Sequence, residues 1–161
     1  MTKHSAYMAL LLCTAMSSCA HSSSVVSTRD ILTKCIQSAE QYRIQPPETT
    51  YWINKAEYIG TCSTSANQVT VAQLSYARNS DVYPGEIGRQ QAYIVFYDKD
   101  FMVRDYWRID QYYNNIDLRG TTLFYGEEAI LDFQHPPRTD SVILDGKPQT
   151  TQTWQNGITS R

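Results

Sequence analysis

Nucleophilic or general-base chemistry needs an imidazole, thiol or hydroxyl set held at close quarters, and this chain has few candidates for one. It carries three histidines, His4, His21 and His135, and the first two lie in its N-terminal stretch. His135 precedes Pro136-Pro137, and no nucleophile-elbow sequence supplies a serine for it. It reads as a surface-loop residue, and one imidazole is too few for a histidine-rich metal site. Asp98-Lys99-Asp100 spaces two carboxylates like half of a cation site, but strand-like runs flank it. The pattern predicts a tight turn in which Asp caps backbone amides. Glu127-Glu128 are neighbours on a second turn and face water. The glycines are dispersed, with no phosphate-binding run. No catalytic residue, cofactor or metal is expected.

The N-terminus is more specific. Lys3 precedes an apolar run from Ala6 to Ala15, which is too short for the roughly 20 residues of a membrane-spanning helix. Met16-Ser17-Ser18-Cys19 follows and resembles the lipobox of bacterial lipoproteins. That resemblance covers residues 1–19. It implies a signal peptide over residues 1–18, cleavage before Cys19, and lipidation of the Cys19 thiol. Two or three acyl chains on one residue hold a protein firmly to a membrane without a transmembrane helix. Ala20, not Asp, follows the cysteine, which by the same resemblance implies the outer membrane, facing the periplasm. An ordinary secretory signal cut after Ser18 or Ala20 is the alternative. Residues 19–26 are serine-rich and predict a flexible tether.

Beyond the leader, 161 residues less the first 18 suffice for one domain with a real core. The whole chain carries 14 basic and 16 acidic residues, with Lys3 the only charge in the leader. A slightly acidic chain of this kind has no basic patch for nucleic acid and no polybasic stretch for anionic lipid. The membrane partner is therefore the N-terminal lipid, and a protein partner in the envelope is expected. Cys35 and Cys62 remain after Cys19. In an oxidising compartment an isolated pair predicts a disulfide, worth roughly 3.5 kcal/mol on chain-entropy grounds. Two free buried thiols are the alternative.

Arginine and tyrosine crowd the middle of the chain. Strand alternation puts Phe101, Val103, Trp107 and Ile109 on one face, and Arg104, Tyr106 and Arg108 on the other. Asp105 then falls on the apolar face, where a charge needs a partner. Arg and Tyr are enriched at interfaces. Arg104, Tyr106, Arg108, Tyr112 and Tyr113 are therefore the candidate partner-binding residues, against the alternative of a solvated face covered by arginine stems.

These residues need a scaffold. Ser27 as N-cap, Asp30 three positions on, and a Val26–Ile31 staple predict a helix start. Ile31, Leu32, Cys35, Ile36, Ala39 and Tyr42 fall on one helical face, and Pro46-Pro47 ends it. Thr49–Ile53 and Glu57–Cys62 predict two short strands. Gln68–Arg78 predicts a third, with a bulge where its alternation slips after Val71. Ala92–Tyr97 and Phe101–Ile109 predict a hairpin, and residues 110–120 a connection. Leu123–Tyr125 pairs with Glu128–Phe133 through Gly126-Glu127, or else 127–133 forms a short helix. Ser141–Leu144 and Lys147–Thr151 flank Asp145-Gly146 as a last hairpin, and residues 155–161 form a tail.

The expected fold class is α+β: an N-terminal helix on one antiparallel, meander-like sheet, fastened by a Cys35–Cys62 disulfide, over residues 27–154. Lipidated domains of this build look broadly similar to accessory lipoproteins of outer-membrane assembly and secretion machines. The expected function is a non-enzymatic, membrane-tethered binding or assembly subunit of a cell-envelope or secretion complex. The alternative is a periplasmic inhibitor or immunity protein against a toxin or wall-degrading enzyme, with Tyr112-Tyr113-Asn114-Asn115 inserted in a cleft.

Overall fold

The computed structural model describes residues 26–44, 51–82, 85–151 and 154. The leader, Cys19, Pro46-Pro47 and the C-terminal tail lie outside these residues. The helix α1 spans Thr28–Tyr42. Ser27 caps it, its Oγ accepting the Asp30 N–H at 3.2 Å and donating to the Asp30 carboxylate at 2.8 Å. Arg43 ends the helix in the left-handed region at φ 59°, and its N–H bonds the Ala39 and Glu40 carbonyls. That is the geometry of a helix C-terminus, with Arg standing where Gly is usual.

Nine strands follow among the described residues. β1 (Trp52–Ser63), β2 (Gln68–Asn79), β3 (Ile87–Tyr97) and β4 (Val103–Ile109) form a four-stranded sheet in that order. β5 (Ile116–Arg119), β6 (Thr122–Tyr125) and β7 (Glu128–Asp132) form a second sheet, and β8 (Ser141–Leu144) with β9 (Lys147–Thr150) a third. All pairs are antiparallel. The expectation of an α+β domain with one sheet is thus corrected: the chain is mostly β, with the 15-residue helix α1 and three antiparallel sheets among the described residues. Residues 110–120, expected as a connection, contain the strand β5, and in place of the two short strands expected over residues 49–62 there is the single strand β1.

The long sheet is the middle layer, because its central strands are apolar on both faces. On β2, Val69 and Val71 enter one core, while Ala72, Leu74 and Tyr76 enter the other. The slip in sequence alternation therefore marks two buried faces, not a bulge. From Thr70 to Arg78 β2 pairs with β3 without a break. The bulges sit on β1 instead, between Ile53 and Lys55 and between Tyr58 and Gly60. They kink an edge strand, a feature that blunts edge-to-edge pairing.

One face carries α1, whose Cys35 and Ala39 are fully buried against Leu74, Val95 and Tyr97. The other face carries the small sheets. There Phe96, Trp107, Phe133 and Trp154 pack edge-to-face at 4.8–5.8 Å between ring centroids. Each such contact is worth about 0.5–1.5 kcal/mol beyond burial. The Trp107 indole N–H also donates to the Thr150 carbonyl at 3.0 Å, tying β9 to β4.

The expected disulfide is absent: Cys35 and Cys62 are both free and buried. Cys35 belongs to the helix-side core and Cys62 to the other. Cys62 pairs across to Val69, so its side chain shares the Val69 face. A sheet stands between the two thiols, and side chains pointing apart cannot be bridged.

Candidate functional site

The β3–β4 hairpin positions the residues singled out above, and its geometry begins at Asp98. Asp98 Oδ1 accepts the N–H groups of Asp100 and Met102, each at 2.9 Å. Its Oδ2 accepts from Arg104 Nε at 2.8 Å and also from the Arg104 Nη2. Burial pushes the Asp98 carboxyl up, but the Met102 N–H, the Arg104 guanidinium and the Asp100 N–H outweigh it and hold the carboxyl below its ordinary value. The Asp98-Lys99-Asp100 run is accordingly a turn built on one carboxylate.

A bulge follows. Phe96 pairs with Asp105 but Tyr97 pairs with Val103, leaving Arg104 as the extra residue. The simple alternation expected over 101–109 therefore breaks. Val103 packs into the helix-side core, whereas Trp107 and Ile109 pack into the other. Arg104 turns back to Asp98. Asp105 shares the Phe96 side, and its Oδ1 accepts the Tyr106 N–H at 2.8 Å.

Tyr106 and Arg108 stay together on the helix-side face, opposite Val95 and Tyr93. The Tyr106 ring meets Tyr93 at 6.0 Å and Tyr42 at 6.4 Å, both edge-on. Tyr42, from the last turn of α1, is 55% exposed and Tyr106 is 42% exposed. Tyr93 beneath them is buried and donates its hydroxyl to Gln91 at 2.9 Å. Burial raises its pKa even though the Arg108 charge pulls the other way. Tyr42 was expected on the buried helical stripe; its place in the final turn carries it past the sheet's cover and into this patch.

Tyr112 and Tyr113 lie elsewhere. The connection after β4 crosses the other face of the sheet. The Tyr113 backbone meets the buried Gln73 carboxamide, which donates to its carbonyl at 2.8 Å. Its ring packs edge-on against Tyr125 at 5.0 Å, and its hydroxyl donates to Asp145 at 2.9 Å. Tyr112 donates to Glu57 at 2.8 Å, with the Lys55 ammonium 3.7 Å from its ring centroid. The five candidate residues thus divide into three places: Arg104 in the turn, Tyr106 with Arg108 at the sheet edge, and the tyrosine pair on the opposite face.

The remaining titratable groups are also placed. His135 Nδ1 lies 3.3 Å from Asp132 Oδ2, exposed. Asp132 also accepts the Thr121 hydroxyl at 2.8 Å and the Gln134 N–H at 2.9 Å. Burial and then the Asp132 charge push the nearby Cys62 thiol up, the opposite of an activated nucleophile. Glu127 is exposed and pairs with Arg119 at 3.2 Å. In the helix-side core, the buried hydroxyls of Tyr51, Tyr76 and Tyr97 have no hydrogen-bond partner among the described residues.

The fold and these sites define a mostly β domain with the helix α1 on one face of its long sheet and an aromatic patch at that sheet's edge. Comparison with protein-family models, with curated proteins and with solved structures finds no match.

Proposed function

We propose that this chain is a membrane-tethered, non-enzymatic envelope lipoprotein that binds a protein partner as an accessory or assembly subunit. The tether rests on Met16-Ser17-Ser18-Cys19. The binding role rests on one observation: Tyr42, Tyr106 and Arg108 stand together, exposed, at the β4 edge, with Tyr93 packed beneath. Tyrosine gives contact area at low entropy cost, and Arg offers planar, multi-donor bonding. Three edge-packed rings hold the patch in shape before a partner arrives, which lowers the ordering cost of binding.

The inhibitor alternative rested on Tyr112-Tyr113 projecting into a cleft. Tyr113 is buried and Tyr112 is held against β1, so that alternative draws no support from the segment.

Two measurements test the proposal. Metabolic labelling with a fatty-acid probe should mark the wild type and not Cys19→Ser; equal labelling of both rejects the tether. Crosslinking from intact envelopes should give a protein adduct that Arg108→Ala and Tyr42→Ala weaken by about 1–3 kcal/mol in affinity. Unchanged capture with intact folding would make the patch an ordinary solvated face.

A further inference from the structure

The two faces of the long sheet are fastened differently. On the face that carries the small sheets, side chains bond across the layers. Gln73 donates to the Tyr113 carbonyl, Trp107 to the Thr150 carbonyl and Tyr112 to Glu57. On the helix side, no hydrogen bond or ion pair joins α1 to a strand among the described residues. The side-chain bonds of α1 are its own: Ser27 with Asp30, and the Thr33 hydroxyl to the Arg29 carbonyl at 2.9 Å. Packing alone holds the helix down. Its fully buried residues, Cys35 and Ala39, are small, while Ile31, Leu32 and Ile36 are half-buried. The Lys34 ammonium over the Phe101 ring and the Tyr42–Tyr106 contact add to this.

The layer beneath α1 works against the packing. It holds the three unpartnered hydroxyls of Tyr51, Tyr76 and Tyr97. Groups of α1 stand close to two of them. After burial itself, the Glu40 charge pushes the Tyr76 hydroxyl up, to about 12, and Cys35 pushes Tyr97 in the same direction. On the opposite face, by contrast, the hydroxyl of the buried Tyr113 is bonded to Asp145. A buried hydroxyl without a partner destabilises the state that buries it. Lifting α1 returns such groups to water. It breaks no backbone bond to the sheet, because a helix's backbone bonds are internal.

We propose that α1 is a lid: it opens as one unit while the long sheet stays folded, and it carries Tyr42 away from Tyr106. Parts of a fold that open separately are those with few ties to the rest. A helix of 15 residues is marginal by itself in water, so the opened lid also unravels. The consequence for the aromatic patch rests on the binding role proposed above. A partner that clasps Tyr42 with Tyr106 and Arg108 holds the lid shut, and opening the lid weakens that partner by the same factor. The tether joins the chain at the start of α1, so a pull on it reaches the lid before the sheet.

The test uses the full-length protein without any partner, so its outcome is separate from that of partner capture. In a urea series, peptide-mapped alkylation follows Cys35 and amide exchange follows α1, β2 and β3. Cys35 should become labelled at urea concentrations where the β2 and β3 amides are still protected. Amides of α1 should exchange at least tenfold faster than those of central β2. Tyr76→Phe and Tyr97→Phe, which remove only a hydroxyl, should each slow Cys35 labelling at least threefold. Tyr42→Ala should speed it at least twofold through the lost contact with Tyr106. The proposal is overturned if α1 and β2 lose protection together, or if Cys35 labels only when the sheet unfolds. It is overturned as well if both phenylalanine variants label as fast as wild type or faster, or if Tyr42→Ala leaves the rate unchanged.

Discussion

The Gln73 carboxamide reads the backbone of Tyr113 on both sides: its Nε2 donates to the Tyr113 carbonyl at 2.8 Å, and its Oε1 accepts the Tyr113 N–H at 3.4 Å. Gln73 is fully buried at the centre of β2, so this one side chain replaces a missing strand neighbour for the crossing connection. Gln73→Leu keeps the volume and strands both backbone groups. The expected loss is about 2–4 kcal/mol, because each unsatisfied buried group costs about 1–3 kcal/mol. A urea midpoint that falls with an unchanged slope would confirm it. A midpoint equal to wild type would show that the connection does not depend on Gln73.

Asp98 predicts an acid-dependent turn. Its carboxyl is held below its ordinary value in the fold. A depressed carboxyl contributes stability that is present above the unfolded value, about pH 3.9, and is lost as pH falls through the folded value. Asp98→Asn should therefore destabilise the protein at pH 7 by about 1–3 kcal/mol, the range for hydrogen bonds to a charged group. The gap between variant and wild type should narrow below about pH 4. Melting curves across pH 2.5–7 for both proteins check this, and a constant gap would contradict it.

The two core thiols should resist modification. Burial pushes the Cys35 thiol up to about 12 and raises Cys62 as well. The reactive species is the thiolate. Peptide-mapped alkylation at pH 8 should leave both residues unlabelled in folded protein and label both in denaturant. Non-reducing mapping should find no Cys35–Cys62 peptide in the folded state. A linked peptide from folded material would overturn the two-face placement.

Gly60 should tolerate no side chain. A Cβ built there would sit 2.9 Å from Leu118 Cδ2 and 3.0 Å from Leu118 Cβ. The Leu118 Cβ is fixed to the β5 backbone, so β5 must move away from β1. Gly60→Ala should cost about 1–3 kcal/mol, the range for overpacking. An unchanged melting temperature would show that Leu118 swings aside freely.

Local signals were legible in the sequence, and long-range geometry was not. Ser27 and Asp30 marked the helix start because capping is complete within four residues. Gly126-Glu127 and Asp145-Gly146 marked hairpins for the same reason. Gly126 has φ 60°, and both Asp145 and Gly146 have positive φ, as their turn types require. The strand β5 was missed because Ile116–Arg119 is only four residues long and shows two of its side chains to water. The Arg104 bulge was missed because nothing near it in sequence announces one; pairing to β3 creates it. Its effect was to part Arg104 from Tyr106 and Arg108, while the connection after β4 carried Tyr112 and Tyr113 to the other face. Of these, Tyr106 and Arg108 stayed adjacent, and Tyr42 joined them from a helix that sequence spacing had turned inward.

The partition of Cys35 from Cys62 sets up a race in any oxidising medium. The two thiols can meet only in a chain whose long sheet has not closed, and once β1 and β2 have zipped together they are screened from each other. A bond formed early would hold residue 35 on the wrong side of a barrier that the native sheet must occupy. Folding and oxidation are therefore competing fates, not cooperating ones. The fraction of molecules linked Cys35–Cys62 after folding in an oxidising medium would act as a clock, recording how many chains met oxidant before their central strands paired.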